Sequence, residues 1–167
     1  MLLNYLHKLG WFVGLVLLQV LILNNVHIAG CATPFLYIYL ILKFESDIPR
    51  NTLMLWAFFL GLTVDVFSDT PGMNAAAAVF LAFMRPALLR LFVPRDMVES
   101  IVPGIRALGV SPFLKYVSAS VLVHHSVLLL VEFFSLAAWG MLLLRIMASS
   151  LLMVACIMAL DGISRKR

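Results

Sequence analysis

From Asn51 to Met84 the chain carries two charged residues, Asp65 and Asp69, and every other position there is apolar or uncharged. A stretch this poor in charge, with a turn signal at its centre, has few folds open to it. Pro71-Gly72 fits the two central positions of a type II turn, where the second needs positive φ and so glycine. Asn74 is placed to cap the helix that follows, and Ala75 to Ala78 let that helix approach a neighbour closely. The reading is helix, tight turn, helix, with Asp65 inside or at the end of the first helix.

The rest of the chain shares this character. Apolar residues make up 63% and charged residues 12%, against about a quarter charged in a soluble domain. So few charges cannot cover a soluble fold of 167 residues. The expected class is an all-α integral membrane protein, one transmembrane domain over residues 1–167. A barrel would show short alternating segments, which the sequence lacks. Lys8 precedes an apolar run, and Ile28-Ala29-Gly30-Cys31 has the look of a lipoprotein cleavage site. Polar Asn24 to His27 separate the two, however, and another apolar run follows, so the first run reads as a retained span.

About six spans are expected. They run over about 9–23, 31–44, 52–67, 74–92, 113–134 and 138–160. The first two are short for a crossing of about 20 residues. Trp11 marks an interfacial anchor, Pro34 falls in the first turn of the second span, and Pro86 is expected to kink the fourth. Between spans four and five, Asp96 and Glu99 have capping-box spacing, and Met97, Ile101, Ile105 and Leu108 recur every three or four residues. That pattern predicts an amphipathic helix on the membrane surface, kinked at Pro103.

Six spans put both termini on one side. Lys8, Lys43, Arg50, Arg90, Arg95, Arg106, Lys115, Arg165, Lys166 and Arg167 then share that side, ten of the twelve basic residues. The opposite loops, 24–30, 68–73 and 135–137, hold no Lys or Arg. By the positive-inside rule the termini are cytoplasmic and the Pro71-Gly72 turn is outside. The net charge of +4 is thereby assigned to topology, not to nucleic acid. Arg95, Arg106 and Lys115 also make a candidate basic cytoplasmic face for anionic lipid or a partner.

A charge within the hydrocarbon needs a partner or a wet cavity. Asp65, Arg85, Glu132 and Arg145 are the candidates. Glu132 and Arg145 fall at similar depth on adjacent spans, and a structural ion pair is the simpler account of both. Asp65 is placed to cap the outer turn or to pair with Arg145. Arg85 lies about 16 Å along its helix from Asn74, placed to snorkel or to line a cavity. His124-His125 point about 100° apart on a helix and cannot chelate one ion as an i, i+4 pair can, so packed or interfacial histidines are expected. Phe35 to Tyr39 and Phe133-Phe134 read as packing or lipid-facing surface, the nine methionines as adaptable packing. Cys31 and Cys156 fall near opposite faces, too far apart for a disulfide.

No metal or cofactor set appears, and no GxSxG, HExxH or phosphate loop. Asp65 and Asp69 at i, i+4 raise an intramembrane hydrolase, but such a dyad needs carboxylates brought together from separate helices.

The run Gly61-Leu62-Thr63-Val64-Asp65-Val66-Phe67-Ser68, followed by Pro71-Gly72 and an alanine-rich helix, resembles the signature of the rod shape-determining MreD family. Pro34 and Pro94-Arg95-Asp96 also resemble it, and the likeness covers nearly the full chain. It implies a non-enzymatic scaffold in the bacterial inner membrane that partners MreC. Through MreC it would serve MreB and the transglycosylase and transpeptidase of lateral wall synthesis. It also implies a fold similar to the substrate-binding subunit of energy-coupling-factor transporters. That makes a small-solute-binding transporter subunit the alternative function. Gly61, Asp65, Ser68, Pro71, Gly72, Arg85, Glu132 and Arg145 are the expected partner-binding or pocket residues.

Overall fold

The computed structural model describes residues 2–23, 34–93, 101–132 and 139–164. These hold seven helices and no strand: α1 (Leu2–Leu21), α2 (Ile38–Leu42), α3 (Arg50–Ser68), α4 (Met73–Phe92), α5 (Ile105–Leu108), α6 (Val110–Glu132) and α7 (Trp139–Ser164). Arg50–Ser68, Met73–Phe92, Val110–Glu132 and Leu143–Ile163 are long and apolar enough to cross a membrane. The protein is a multi-pass α-helical membrane protein. These four helices follow the last four expected spans closely, because each is a long apolar run ended by a turn signal or a charge.

The first two expected spans differ. The apolar part of α1, Lys8–Leu21, falls short of a full crossing length. In the described part of the second, residues 34–44, only five residues are helical. Pro34 is not in a first helical turn; it precedes α2 by four residues, and its carbonyl accepts the Gln19 Nε2–H at 3.0 Å. Gln19 Oε1 in turn accepts the Leu36 N–H at 2.7 Å. At the other end Lys8 pairs with Glu45 at 2.6 Å. The 34–45 segment therefore runs back along α1. Leu36 through Leu42, with Phe44, is buried throughout, so this segment is the middle of the core and has no lipid-facing side.

The surface helix expected between spans four and five is also corrected. Residues 101–104 are not helical, α5 is a single turn, and Pro103 lies in the coil before it. Ile101 and Ile105 pack on the core. The Ser46 amide donates to the Ile101 carbonyl at 2.9 Å, and Asp161 Oδ2 accepts the Ile105 amide at 2.7 Å. Met97 and the Asp96/Glu99 pair lie outside the described residues, as do Cys31, the Asn24 to Gly30 turn and Phe133-Phe134. Cys156 is a half-buried free thiol. α4 passes through Pro86 without interruption.

α3 and α4 make the closest pair. A Cβ on Gly61 would lie 2.5 Å from Ala75 Cα and 2.6 Å from the Asn74 carbonyl oxygen. The helices can touch backbone to backbone there because that side chain is missing. Ala75 and Ala78, three residues apart on α4, are buried as well.

Candidate functional site

The hairpin turn begins where α3 runs out. Asp69 caps α3 in the left-handed region (φ 54°, ψ 40°), and Gly72 follows at φ 78°, ψ 9°, the conformation a type II turn requires at its third residue. The first amides of α4 then need acceptors inside an apolar environment. Asp65 supplies them. Its Oδ1 accepts from the Asn74 amide (3.0 Å), the Asn74 Nδ2–H (2.9 Å) and the Thr70 hydroxyl (2.6 Å). Its Oδ2 accepts from the Ala75 amide at 2.8 Å. The carboxylate is 1% exposed, carries four donors and faces the positive end of the α4 dipole. Asp65 therefore caps a turn, as one of its two expected roles had it. Asn74 does not cap: Gly72 holds the N-cap position, and Asn74 lies inside α4.

The Asn74 side chain carries the network inward. Because its amide donates to Asp65, its Oδ1 is left as an acceptor, and Tyr37 Oη–H donates to it at 3.1 Å. Tyr37 Oη also lies 2.8 Å from His124 Nε2. With the phenol proton already committed, His124 must donate there, which fixes it as the Nε2–H tautomer. His125 Nδ1 lies 3.0 Å from the Val121 carbonyl and so carries its proton on Nδ1. Phe35, Tyr37, His124 and His125 pack as an aromatic group with centroids 5.5 to 6.5 Å apart. Ser120 Oγ, His124 Nδ1, His125 Nε2 and Ser150 Oγ are buried with no partner among the described residues. The histidines are packed, not interfacial, and Tyr37 is neither lipid-facing nor mere filler.

Arg85 has the opposite task. It is 1% exposed, and its guanidinium reaches the carbonyls that the short α2 leaves open. Nη2 donates to the Phe44 carbonyl and to that of Leu42 at 3.4 Å, Nη1 to that of Glu45 at 3.3 Å. Nε donates to Tyr116 Oη at 3.1 Å. A cation at a helix C-terminus is favourable. Arg85 is buried and spent on the core, so it does not snorkel. Near this end Asp161 accepts from Lys43 Nζ (2.7 Å) and Tyr39 Oη (3.1 Å), besides the Ile105 amide.

No family model, no curated protein and no solved structure matches the chain. The remaining expected site residues are dispersed. Ser68 is the half-buried last residue of α3, and Pro71 is exposed in the turn. Glu132 is the exposed last residue of α6, and Arg145 is half-buried in α7. Lys8–Glu45 and Lys43–Asp161 are ion pairs of the described residues, and the expected Glu132–Arg145 pair is not one of these two. Arg106 and Lys115 are exposed on α5 and α6, and Arg95 lies outside the described residues. Sequence reading passed over Gln19, Tyr37, Tyr116 and Asp161. Gln19 had a signal, as the one amide side chain inside the apolar run from Leu9 to Leu23.

Proposed function

We propose that this chain is a member of the MreD family and serves as a non-enzymatic scaffold that partners MreC in lateral wall synthesis. One observation carries the reading. The residues that make the resemblance hold places the α3–α4 hairpin geometry demands: Gly61 at the backbone contact, Asp65 on the amides of α4, Gly72 at positive φ. The signature is thus a device for building a rigid hairpin, not a chance of composition. Its tip exposes Val66, Phe67 and Asp69, an apolar and acidic surface on which MreC docks. The Lys8–Glu45 and Lys43–Asp161 pairs hold the start of α1, the loop after α2 and the end of α7 together at the opposite end. This supports both termini on one side of the membrane. Asp65 is saturated by four donors, which favours a structural over a catalytic carboxylate.

The test is affinity purification from the native membrane in mild detergent with mass spectrometry. MreC and the wall synthases are expected to come along. Val66→Lys with Phe67→Lys, made at exposed positions, is expected to release MreC without loss of the folded protein. Retention of MreC by that variant would move the interface elsewhere. Recovery of transporter ATPase subunits instead would overturn the scaffold reading. The second reading, a solute-binding transporter subunit, draws on the unpartnered Ser120, His124, His125 and Ser150 atoms, which suit a guest with N–H or O–H donors. A tightly held small molecule, lost on His124→Phe, would favour it.

A further inference from the structure

Between α3 and α4, on the face turned away from the core, lies an apolar groove of about 550 Å³. Leu62, Gly72, Ala76, Val79, Phe80 and Phe83 are among the residues that line it. Gly72 to Phe83 is eleven residues, about 16 Å along a helix. That is shorter than the roughly 30 Å hydrocarbon of a bilayer.

The two ends of the groove differ in charge. The Gly72 end carries exposed Asp69. At the Phe83 end the Arg50 guanidinium lies 5.0 Å from the Phe83 ring centroid. Arg50 is exposed and takes part in no ion pair among the described residues. Arg90 is exposed two helical turns beyond Phe83, on the same face of α4, since seven residues return to nearly the same angle. Neither arginine is used by the core, in contrast to Arg85.

We propose that this groove holds one acyl chain of an anionic phospholipid, with its phosphate at Arg50 and Arg90 and its chain running toward Gly72. An apolar slot with cations at and beyond one end and a carboxylate at the other accepts such a lipid in one orientation. Basic residues near an anionic lipid surface contribute about 1 kcal/mol each, so the two arginines together give about 30-fold selectivity over a zwitterionic lipid.

The experiment uses the delipidated full chain in detergent, titrated with phosphatidylglycerol or phosphatidylcholine and read by native mass spectrometry. Phosphatidylglycerol is expected to bind about 30-fold more tightly. Arg50→Gln with Arg90→Gln should bring the two lipids within about twofold, each single change giving about a fivefold loss. Ala76→Phe fills the slot and leaves both arginines, and it should weaken both lipids. All three changes are at exposed positions, and an unchanged thermal unfolding midpoint without lipid confirms the fold. Equal binding of the two lipids, or selectivity that survives the double arginine change, overturns the headgroup site. Undiminished binding by Ala76→Phe overturns the groove as the seat of the chain.

Discussion

Asp65 and Arg85 solve one problem at opposite ends of a helix. Each is a buried charge in an apolar bundle, and each is consumed by backbone groups that a helix cannot satisfy itself. Asp65 binds the first amides of α4 from nine and ten residues away, across a tight turn. Arg85 binds the last carbonyl of α2 and two carbonyls of the loop after it, from 40 to 43 residues away, across the core. The first lock is local and could form as soon as the hairpin does. The second needs α2, α4 and α6 already together, since Tyr116 of α6 completes it. A charge in a membrane span is thus no sign by itself of a substrate or a proton path.

The largest effect is expected at Arg85. Arg85→Met leaves the buried Phe44 carbonyl without its donor and strips one donor each from the Leu42 and Glu45 carbonyls, and it should lower unfolding stability in detergent by about 3–5 kcal/mol. Hydrogen exchange should rise across residues 36–45 and stay low at Asn74 and Ala75. Asp65→Ala should do the reverse, at about 2–4 kcal/mol, with exchange rising at the Asn74 and Ala75 amides. If either change loosens both regions equally, the two locks are one network and the contrast fails.

Gly61→Ala sharpens the comparison from the packing side. Its methyl meets the α4 backbone, which cannot turn aside, and about 1–3 kcal/mol should be lost. Tyr37→Phe comes next, at about 1 kcal/mol, because it deletes the hydroxyl that bridges Asn74 and His124. Its sharper readout is nitrogen NMR of His124, expected as the Nε2–H tautomer in the native chain. Glu132→Gln is the smallest, within about 0.5 kcal/mol, as an exposed group at the end of α6.

The hairpin was legible for a physical reason. The spacing of Gly61, Asp65, Pro71 and Gly72 is short-range, and short-range geometry follows from turn conformation and helical period. Even there one exchange of roles was hidden. Asn74 has the composition of a cap, yet the carboxylate of the preceding helix reaches the same amides and is the stronger acceptor. Freed from capping, Asn74 became the bridge to Tyr37.

The second expected span shows where such reading stops. Its residues are apolar enough for a helix, and in isolation a longer helix would satisfy more of its backbone. In the folded chain Gln19, Arg85 and Tyr116 take up the amides and carbonyls that the irregular segment leaves open. The pattern of apolar residues holds no trace of that substitution, because the donors come from elements far away in sequence.

The sequence by itself determined that the chain lives in a membrane, where its four long helices run, and where the α3–α4 turn falls. Apolar content, run length and turn residues are local quantities, and bilayer thickness sets their scale. Only the tertiary structure decided that the segment from Leu36 to Phe44 is core and not a lipid-facing span, and that Arg85 closes it. It also decided that Arg50 and Arg90 are left to the surface. Those outcomes depend on which distant polar groups meet inside the bundle, where every backbone group must find a partner and water supplies none.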